Sequence, residues 1–456
     1  MSSGGRRAWL WPVLAAILLR LACLPLGARI VPSGDAVGYI KLAQDFRASG
    51  EFNALAQGVR PPLFRVLLAP GVGTTGVVAD AFPGAYLIQI GMDVLALVLL
   101  VQLTRRRFGD HAALAAGWIY ALLPQAVLYS SVVIMAETVA VLAVAAALLA
   151  LDGLDRALDR PGAAIAPRVL LLGAVLGLGI LTKELLVPVT GVFLLALLLR
   201  PRPAPWRRAG LVLATAGVAG LVVAPWAAWT AQHYGVPILS GTHGDMSMGV
   251  DNPPPGQTSM RYFKELYIRD VKDQLDYSHA VFHRALVEYP ALTAERAVMR
   301  MRIAAGPEDV LPIWIAMAFD GYVPDASSNF ALSRQAWVLP PHGWGRRLQL
   351  LGSACAVAFF ALAAAGLASV RRDLLRTVAL LALAVILLTL ALTVASPRYR
   401  QSMVPFLLPF AGLAAARLLD ALRGQQTQQH GARRAATCGL AVAVLLTVTM
   451  FCLPAP

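Results

Sequence analysis

The sequence predicts an all-α polytopic membrane protein with about eleven transmembrane helices and further helices lying at one membrane surface. Three observations carry that expectation. The 456 residues are 58% hydrophobic and only 14% charged, a balance no soluble globular domain has. Apolar stretches long enough to cross a bilayer recur along the whole chain. Arginines collect at every second end of those stretches, as the positive-inside rule requires of one alternating topology.

The first span covers residues 9–30 and follows Arg6-Arg7. No clear small-x-small cleavage site closes it and more spans follow, so it reads as a retained helix. A long loop, 31–82, comes next. Span 2 covers 84–104 and stops at Arg105-Arg106-Arg107. Residues 112–151 are two spans turning between Tyr129 and Glu137, because forty apolar residues at 1.5 Å each exceed one crossing. A charged loop with Asp152, Asp155, Asp159 and Arg160 follows. Residues 169–199 form two arms around Thr182-Lys183-Glu184, closed by Arg200, Arg202, Arg207 and Arg208. Span 7 covers 209–230 and ends in an aromatic belt at Trp226 and Trp229. Residues 231–345 are the one long polar segment; inside it Leu311–Phe319 is too short to cross and reads as an interfacial helix. Spans 8 to 11 cover 348–368, 377–395, 403–419 and 435–453. Three parts result: an N-terminal transmembrane module, 1–230; a cap segment, 231–345; and C-terminal helices, 346–456.

With Arg6-Arg7 in the cytoplasm, the clusters at 105–107, 156–168, 200–208, 371–376 and 417–434 all point inward. The net charge of +14 is therefore expected to serve topology and anionic headgroups; nucleic acid is not an expected partner. Asp35, Arg60, Glu137, Lys183, Glu184, Arg398, Arg400 and the 231–345 segment then share the opposite, extracytoplasmic face.

The chemistry gathers there. Gly34-Asp35-Ala36-Val37-Gly38-Tyr39 opens an amphipathic helix. Tyr39, Leu42, Ala43 and Phe46 fall on its apolar face, and Lys41, Gln44 and Asp45 on the other. Asp35 is either a helix cap or a functional carboxylate at the water boundary. Lys183 sits at a turn between two apolar arms and needs an anion, which Glu184, a headgroup or a bound phosphate would supply. Arg398 and Arg400, flanking Tyr399, oppose the positive-inside bias and also ask for an anion; Arg60 before Pro61-Pro62 is similar. Glu137 either pairs with the helix dipole or belongs to a site. His279 and His283 are spaced i,i+4 with no third ligand in view, so no metal site is expected. Cys23, Cys355, Cys438 and Cys452 lack metal or disulfide spacing. One carboxylate able to accept a proton, beside cations able to hold a phosphate, suits transfer from a lipid-linked phosphate to a hydroxyl.

The pattern resembles the GT-C glycosyltransferases that use polyprenyl-phosphate sugars, among them protein O-mannosyltransferases and the aminoarabinose transferase of lipid A. The likeness lies in Gly34-Asp35-Ala36-Val37-Gly38-Tyr39, Arg60-Pro61-Pro62-Leu63-Phe64, Leu123-Pro124, Glu137-Thr138, Leu181-Thr182-Lys183-Glu184, Pro225-Trp226 and Pro397-Arg398-Tyr399-Arg400. It implies a GT-C-like fold and an inverting membrane glycosyltransferase that takes a sugar from a polyprenyl-phosphate donor. Asp35 would be the catalytic base, with Lys183 and Arg398 near the donor phosphate; Arg60 and Arg400 join them as phosphate ligands from their own placement. Tyr39, Glu137, Glu184 and Tyr399 complete the candidate site. The protein O-mannosyltransferases carry a second acidic residue where this chain has Ala36, so the acceptor is expected to be a lipid or cell-envelope glycan rather than a protein. The aminoarabinose transferases carry Lys where this chain has Arg60. The sequence shows no required cofactor, leaves a divalent metal open, and points to a plasma (inner) membrane location with the site extracytoplasmic. The alternative is a transporter or lipid flippase, against which no inverted repeat is found.

Overall fold

The computed structural model describes residues 8–29, 35–53, 58–256, 266, 269–305, 343–371, 373–393, 397–423, 436–444 and 446. All regular elements among them are helical. In chain order these are α1 (Leu10–Arg29), α2 (Asp35–Ser49), α3 (Pro62–Leu68), α4 (Gly84–Phe108), α5 (Asp110–Leu122), α6 (Pro124–Ser131), α7 (Ala136–Leu158), α8 (Ala166–Ile180) and α9 (Leu186–Leu199). The chain continues as α10 (Pro205–Tyr234), α11 (His243–Val250), α12 (Val271–Glu288), α13 (Pro290–Ala305), α14 (Gly343–Ser369), α15 (Leu374–Leu392), a 3-10 turn (Pro397–Met403) and α16 (Val404–Leu422).

Seven helices among the described residues are long and apolar enough to cross a membrane, or eight if α5 and α6, bent by 54° at Leu123-Pro124, form one broken span. The chain is a multi-pass membrane protein. Among the described residues the expected eleven are not confirmed as full spans. The arms α8 and α9 have only 15 and 14 residues. At 1.5 Å per residue neither crosses a hydrocarbon core of about 30 Å alone. The last expected span, 435–453, lies largely outside the described residues, as do Gly34 and the expected interfacial helix at 311–319.

One core runs through the bundle from Ala16 in α1 to Ala411 in α16. α4 packs against α5 and α7, and α16 packs against α5 and α14. Small residues set the close crossings. A Cβ on Gly173 or Gly177 of α8 would lie 2.7 Å from Val218 or Val222 of α10, so the pair spaced i,i+4 lets those helices touch backbone to side chain. Inside the spans, Arg20 of α1 is fully buried and pairs with Asp93 of α4 at 2.5 Å, while Tyr120 of α5 donates to the other Asp93 oxygen at 2.6 Å. A charge in lipid-facing core needs such a partner.

Two features position the site. Between α6 and α7 the helical ladder breaks, and Gln89 of α4 repairs it. Its amide donates to the carbonyls of Tyr129 and Val133 at 2.9 and 2.7 Å and accepts from Met135 N–H at 2.8 Å. The freed backbone groups are satisfied without water, and α7 restarts with Glu137 in its first turn. Between α8 and α9 the break at 181–185 is held from outside, because Leu63 N–H donates to Leu181 O at 2.9 Å. Helix α2 is more enclosed than an interfacial helix with one wet face. Tyr39, Leu42 and Ala43 are buried as expected, but so is Gln44, placed by periodicity on the polar face; it donates to Val77 O at 2.8 Å.

Candidate functional site

Asp35 is the first residue of α2, and its carboxylate is gripped from two sides. Arg60, just before α3, donates to Oδ1 at 2.8 Å, and Arg398, in the 3-10 turn before α16, pairs with Oδ2. Arg398 also lies 3.4 Å from Glu137 Oε1, and Lys183 meets that same oxygen at 2.8 Å. Asp35, Arg60, Arg398, Glu137 and Lys183 thus form one continuous network from five separate stretches of chain. Tyrosine faces line it: Lys183 sits 4.8 Å above the Tyr399 ring and Arg60 lies 5.7 Å from the Tyr39 ring. Tyr39 is fixed in turn by an edge contact with Phe64, centroids 5.1 Å apart.

Arg60 owes its place to Arg65, whose guanidinium donates back to Arg60 O at 3.1 Å and to Asn53 O at 2.9 Å. Burial pulls Arg65 down to about 10. Loop 58–61 also pairs with the segment after α10: Val59 N–H donates to Thr242 Oγ1 at 3.0 Å, and Thr242 N–H to Val59 O at 2.9 Å.

Burial by itself would push the Asp35 carboxyl up. Arg398 and Arg60 outweigh it and hold that carboxyl well below the usual carboxylate range. Asp35 raises Arg60 in turn, against the desolvation of its own guanidinium. Burial raises Glu184, with Arg60 pulling the other way. Burial and the charge of Arg60 push His243 down to about 3.

A cavity of about 490 Å³ adjoins the network, within the range of small-molecule sites. Lys183, Glu184 and Tyr399 form one side and His243 and Thr242 another. Val187 and Pro188 of α9 and Leu390 of α15 supply apolar walls. The arrangement can hold an anionic head at Lys183 with an apolar tail along α9 and α15, beside an ionised carboxylate.

Of the residues singled out in the sequence, Asp35, Arg60, Tyr39, Glu137, Lys183, Arg398 and Tyr399 come together. Glu184 faces the cavity but is not the partner of Lys183; Glu137 is. Arg400 is fully buried, enclosed in the interior, whereas Arg398 meets the carboxylates. Sequence reasoning passed over His243 and the Ser240–Asp245 loop, whose glycine-flanked polar run was the available signal. His279 pairs with Asp245 at 3.4 Å, and no group of three or more metal-ligating side chains occurs among the described residues.

With that geometry in hand, comparison with known proteins gives four findings. Residues 60–229 match the family model for dolichyl-phosphate-mannose-protein mannosyltransferase. No curated protein sequence matches the chain. The Archaeoglobus fulgidus oligosaccharyltransferase, crystallised with zinc and sulfate, superposes with a TM-score of 0.51 at 15% identity over 98% of this chain and 53% of that one. This chain therefore spans about half the length of that structure. ArnT from Cupriavidus metallidurans has a TM-score of 0.41 in both its apo and undecaprenyl-phosphate-bound crystal structures, at 15% and 14% identity, over 94% and 97% of this chain and 84% and 89% of ArnT. The chain therefore shares the GT-C fold of that oligosaccharyltransferase, and residues 60–229 resemble the mannosyltransferase family.

Proposed function

We propose that the protein is a membrane glycosyltransferase that moves a sugar from a polyprenyl-phosphate donor to a hydroxyl of a lipid or cell-envelope glycan, with inversion. The observation that carries this reading is the Asp35 carboxylate held between Arg60 and Arg398, in one network with Lys183 and Glu137 beside an apolar-walled cavity. Each arginine takes one oxygen of Asp35. A carboxylate has about four acceptor positions, so it can still accept an acceptor hydroxyl.

In the reaction that follows, the hydroxyl oxygen attacks the anomeric carbon as the bond from that carbon to the phosphate oxygen breaks. The hydroxyl proton goes to Asp35. The departing polyprenyl phosphate keeps the bonding electrons, and Lys183 and Arg398 stabilise its charge. A carboxylate held at low pKa is a weak base, which suits proton removal late in the step. One base and one leaving group on opposite sides of the sugar suit a single displacement, without a covalent sugar–enzyme intermediate. The arginine distribution supports a plasma (inner) membrane protein with the Asp35 end outside the cytoplasm.

Asp35→Asn keeps the side-chain size and removes the base. Transfer of sugar from the donor lipid is expected to fall by a factor of about 10² or more, with donor binding retained. Near-normal transfer by that variant would reduce Asp35 to a helix cap and end the catalytic reading.

A further inference from the structure

The cavity holds one group that the proposed mechanism leaves idle. Glu184 Oε1 is buried at its wall and has no hydrogen-bond partner among the described residues. Several polar groups of the lining are otherwise occupied. Lys183 is paired with Glu137 at 2.8 Å. Thr389 donates to Val385 O at 2.8 Å and Thr393 to Thr389 O at 2.7 Å. A buried acceptor left empty forfeits a hydrogen bond and its desolvation, so this oxygen asks for a donor that the polypeptide does not provide.

The glutamate is also held in place. A Cβ on Gly241 would collide with Glu184 Oε1 and would lie 2.7 Å from Val59 O and 2.8 Å from the Pro61 ring. Gly241 thus lets the loop close over the carboxyl, and any larger residue there would displace it. On the opposite side the Glu184 stem lies 3.7 Å from the Cβ position of Gly244. The carboxyl is seated between two glycines, one residue after the lysine assigned to the phosphate.

We infer that Glu184 recognises the sugar of the lipid-linked donor, accepting hydrogen bonds from its ring hydroxyls and so setting which sugars the cavity admits. This rests on the donor reading above. Lys183 and Glu184 line the same cavity, so a sugar joined directly to a phosphate held at Lys183 comes within reach of Glu184. A site built to accept a hydroxyl discriminates strongly against a sugar that lacks or misplaces it, because the buried oxygen then stays empty.

The test is binding to the full-length protein in lipid nanodiscs, using bare undecaprenyl phosphate and a panel of undecaprenyl-phosphate hexoses and pentoses. The wild type is expected to bind at least one glycosylated lipid more tightly than the bare lipid. Glu184→Ala should leave bare-lipid affinity within about twofold and reduce the sugar's added affinity by about tenfold. Glu184→Gln, which keeps an acceptor without the charge, should fall between. An unchanged sugar increment in both variants overturns the inference and leaves the donor reading standing. Equal weakening of bare and glycosylated lipids also overturns it and makes Glu184 a support for Lys183. A wild type that binds none of these lipids removes the donor reading, and this inference with it.

Discussion

Charged side chains gather at both ends of α7, and the two gatherings differ in kind. At the far end, Arg107 pairs with Asp152 and Asp155, Arg156 with Asp152, and Arg200 with Asp155 and Asp159. Three arginines answer three carboxylates, and together they clamp the ends of α4, α7 and α9. About 27 Å away along α7, at the Glu137 end, three cations (Arg60, Arg398, Lys183) answer two carboxylates, Asp35 and Glu137. The third carboxyl there, Glu184, has no cation paired with it among the described residues and faces the cavity. The far cluster is balanced within itself, arginine for carboxylate; the other leaves Glu184 Oε1 without a partner beside a cavity. A balanced cluster holds helices, whereas cations and an unpartnered oxygen beside a cavity are built to meet a ligand.

Removing a carboxylate from the balanced end breaks the comparison most severely if it is wrong. Asp155→Asn leaves Arg107 with Asp152 and Arg200 with Asp159, so the loss is smaller than the full disruption of a buried pair. A drop of about 2 kcal/mol in stability is expected, read as a lower midpoint of thermal unfolding in nanodiscs. Turnover per folded molecule should not change. A large loss of turnover at unchanged stability would show that the two ends are coupled and that the far cluster is more than a clamp.

Lys183→Gln sharpens the same contrast from the other end. Glu137 keeps Arg398, so the protein should fold with a smaller thermal shift than Asp155→Asn gives. Binding of undecaprenyl phosphate should weaken by about tenfold. Unchanged binding would return Lys183 to a purely structural partner of Glu137.

How much of this was legible in the sequence follows the same division. The broken helices and their order are written in local hydropathy, prolines and short apolar arms, so the turns near 129–137 and at 182–184 were readable. The site's cations were singled out because they stand apart from the main arginine clusters of the sequence. Pairing was not. Lys183 has Glu184 as its neighbour in sequence yet takes Glu137, because the break at 181–185 directs the two side chains differently and α7 brings its first turn alongside. Gln44 obeys helical periodicity but is buried because the 3-10 turn at Val78–Ala81 and its approach cover that face. Arg20, Asp93 and Tyr120 lie in three separate spans, each an isolated polar residue until the helices pack. The count of eleven spans is not confirmed at α8 and α9, where apolar length alone does not tell two short arms meeting at a site from two crossings.

The smallest expected effect lies in acid, and it concerns His243. Arg60, Asp35, Arg398 and Lys183 all act on this imidazole, and burial together with the cations pushes it down to about 3. Its folded value lies below the unfolded value of about 6.5. As pH falls below 6.5 the unfolded chain binds a proton there that the folded chain refuses. Stability from this group is therefore full above pH 6.5 and declines steadily toward pH 3, by linkage. Asp35 adds nothing above about pH 5, since its folded value is depressed and its contribution is lost only at lower pH. Glu184, raised by burial, works in the opposite sense from about pH 4.5 upward, favouring the folded state as acid is added. Replacing His243 with Gln keeps a polar side chain and removes the titration. Between pH 5 and 6.5 the variant should lose less thermal stability with acid than the wild type, by a difference of up to about one bound proton, while at pH 7.5 the two should differ little in pH slope. Parallel pH profiles for the two proteins would mean that His243 carries its proton in the folded state. The cluster would then hold a fourth cation in mild acid, and its net charge would grow with acidity rather than stay fixed.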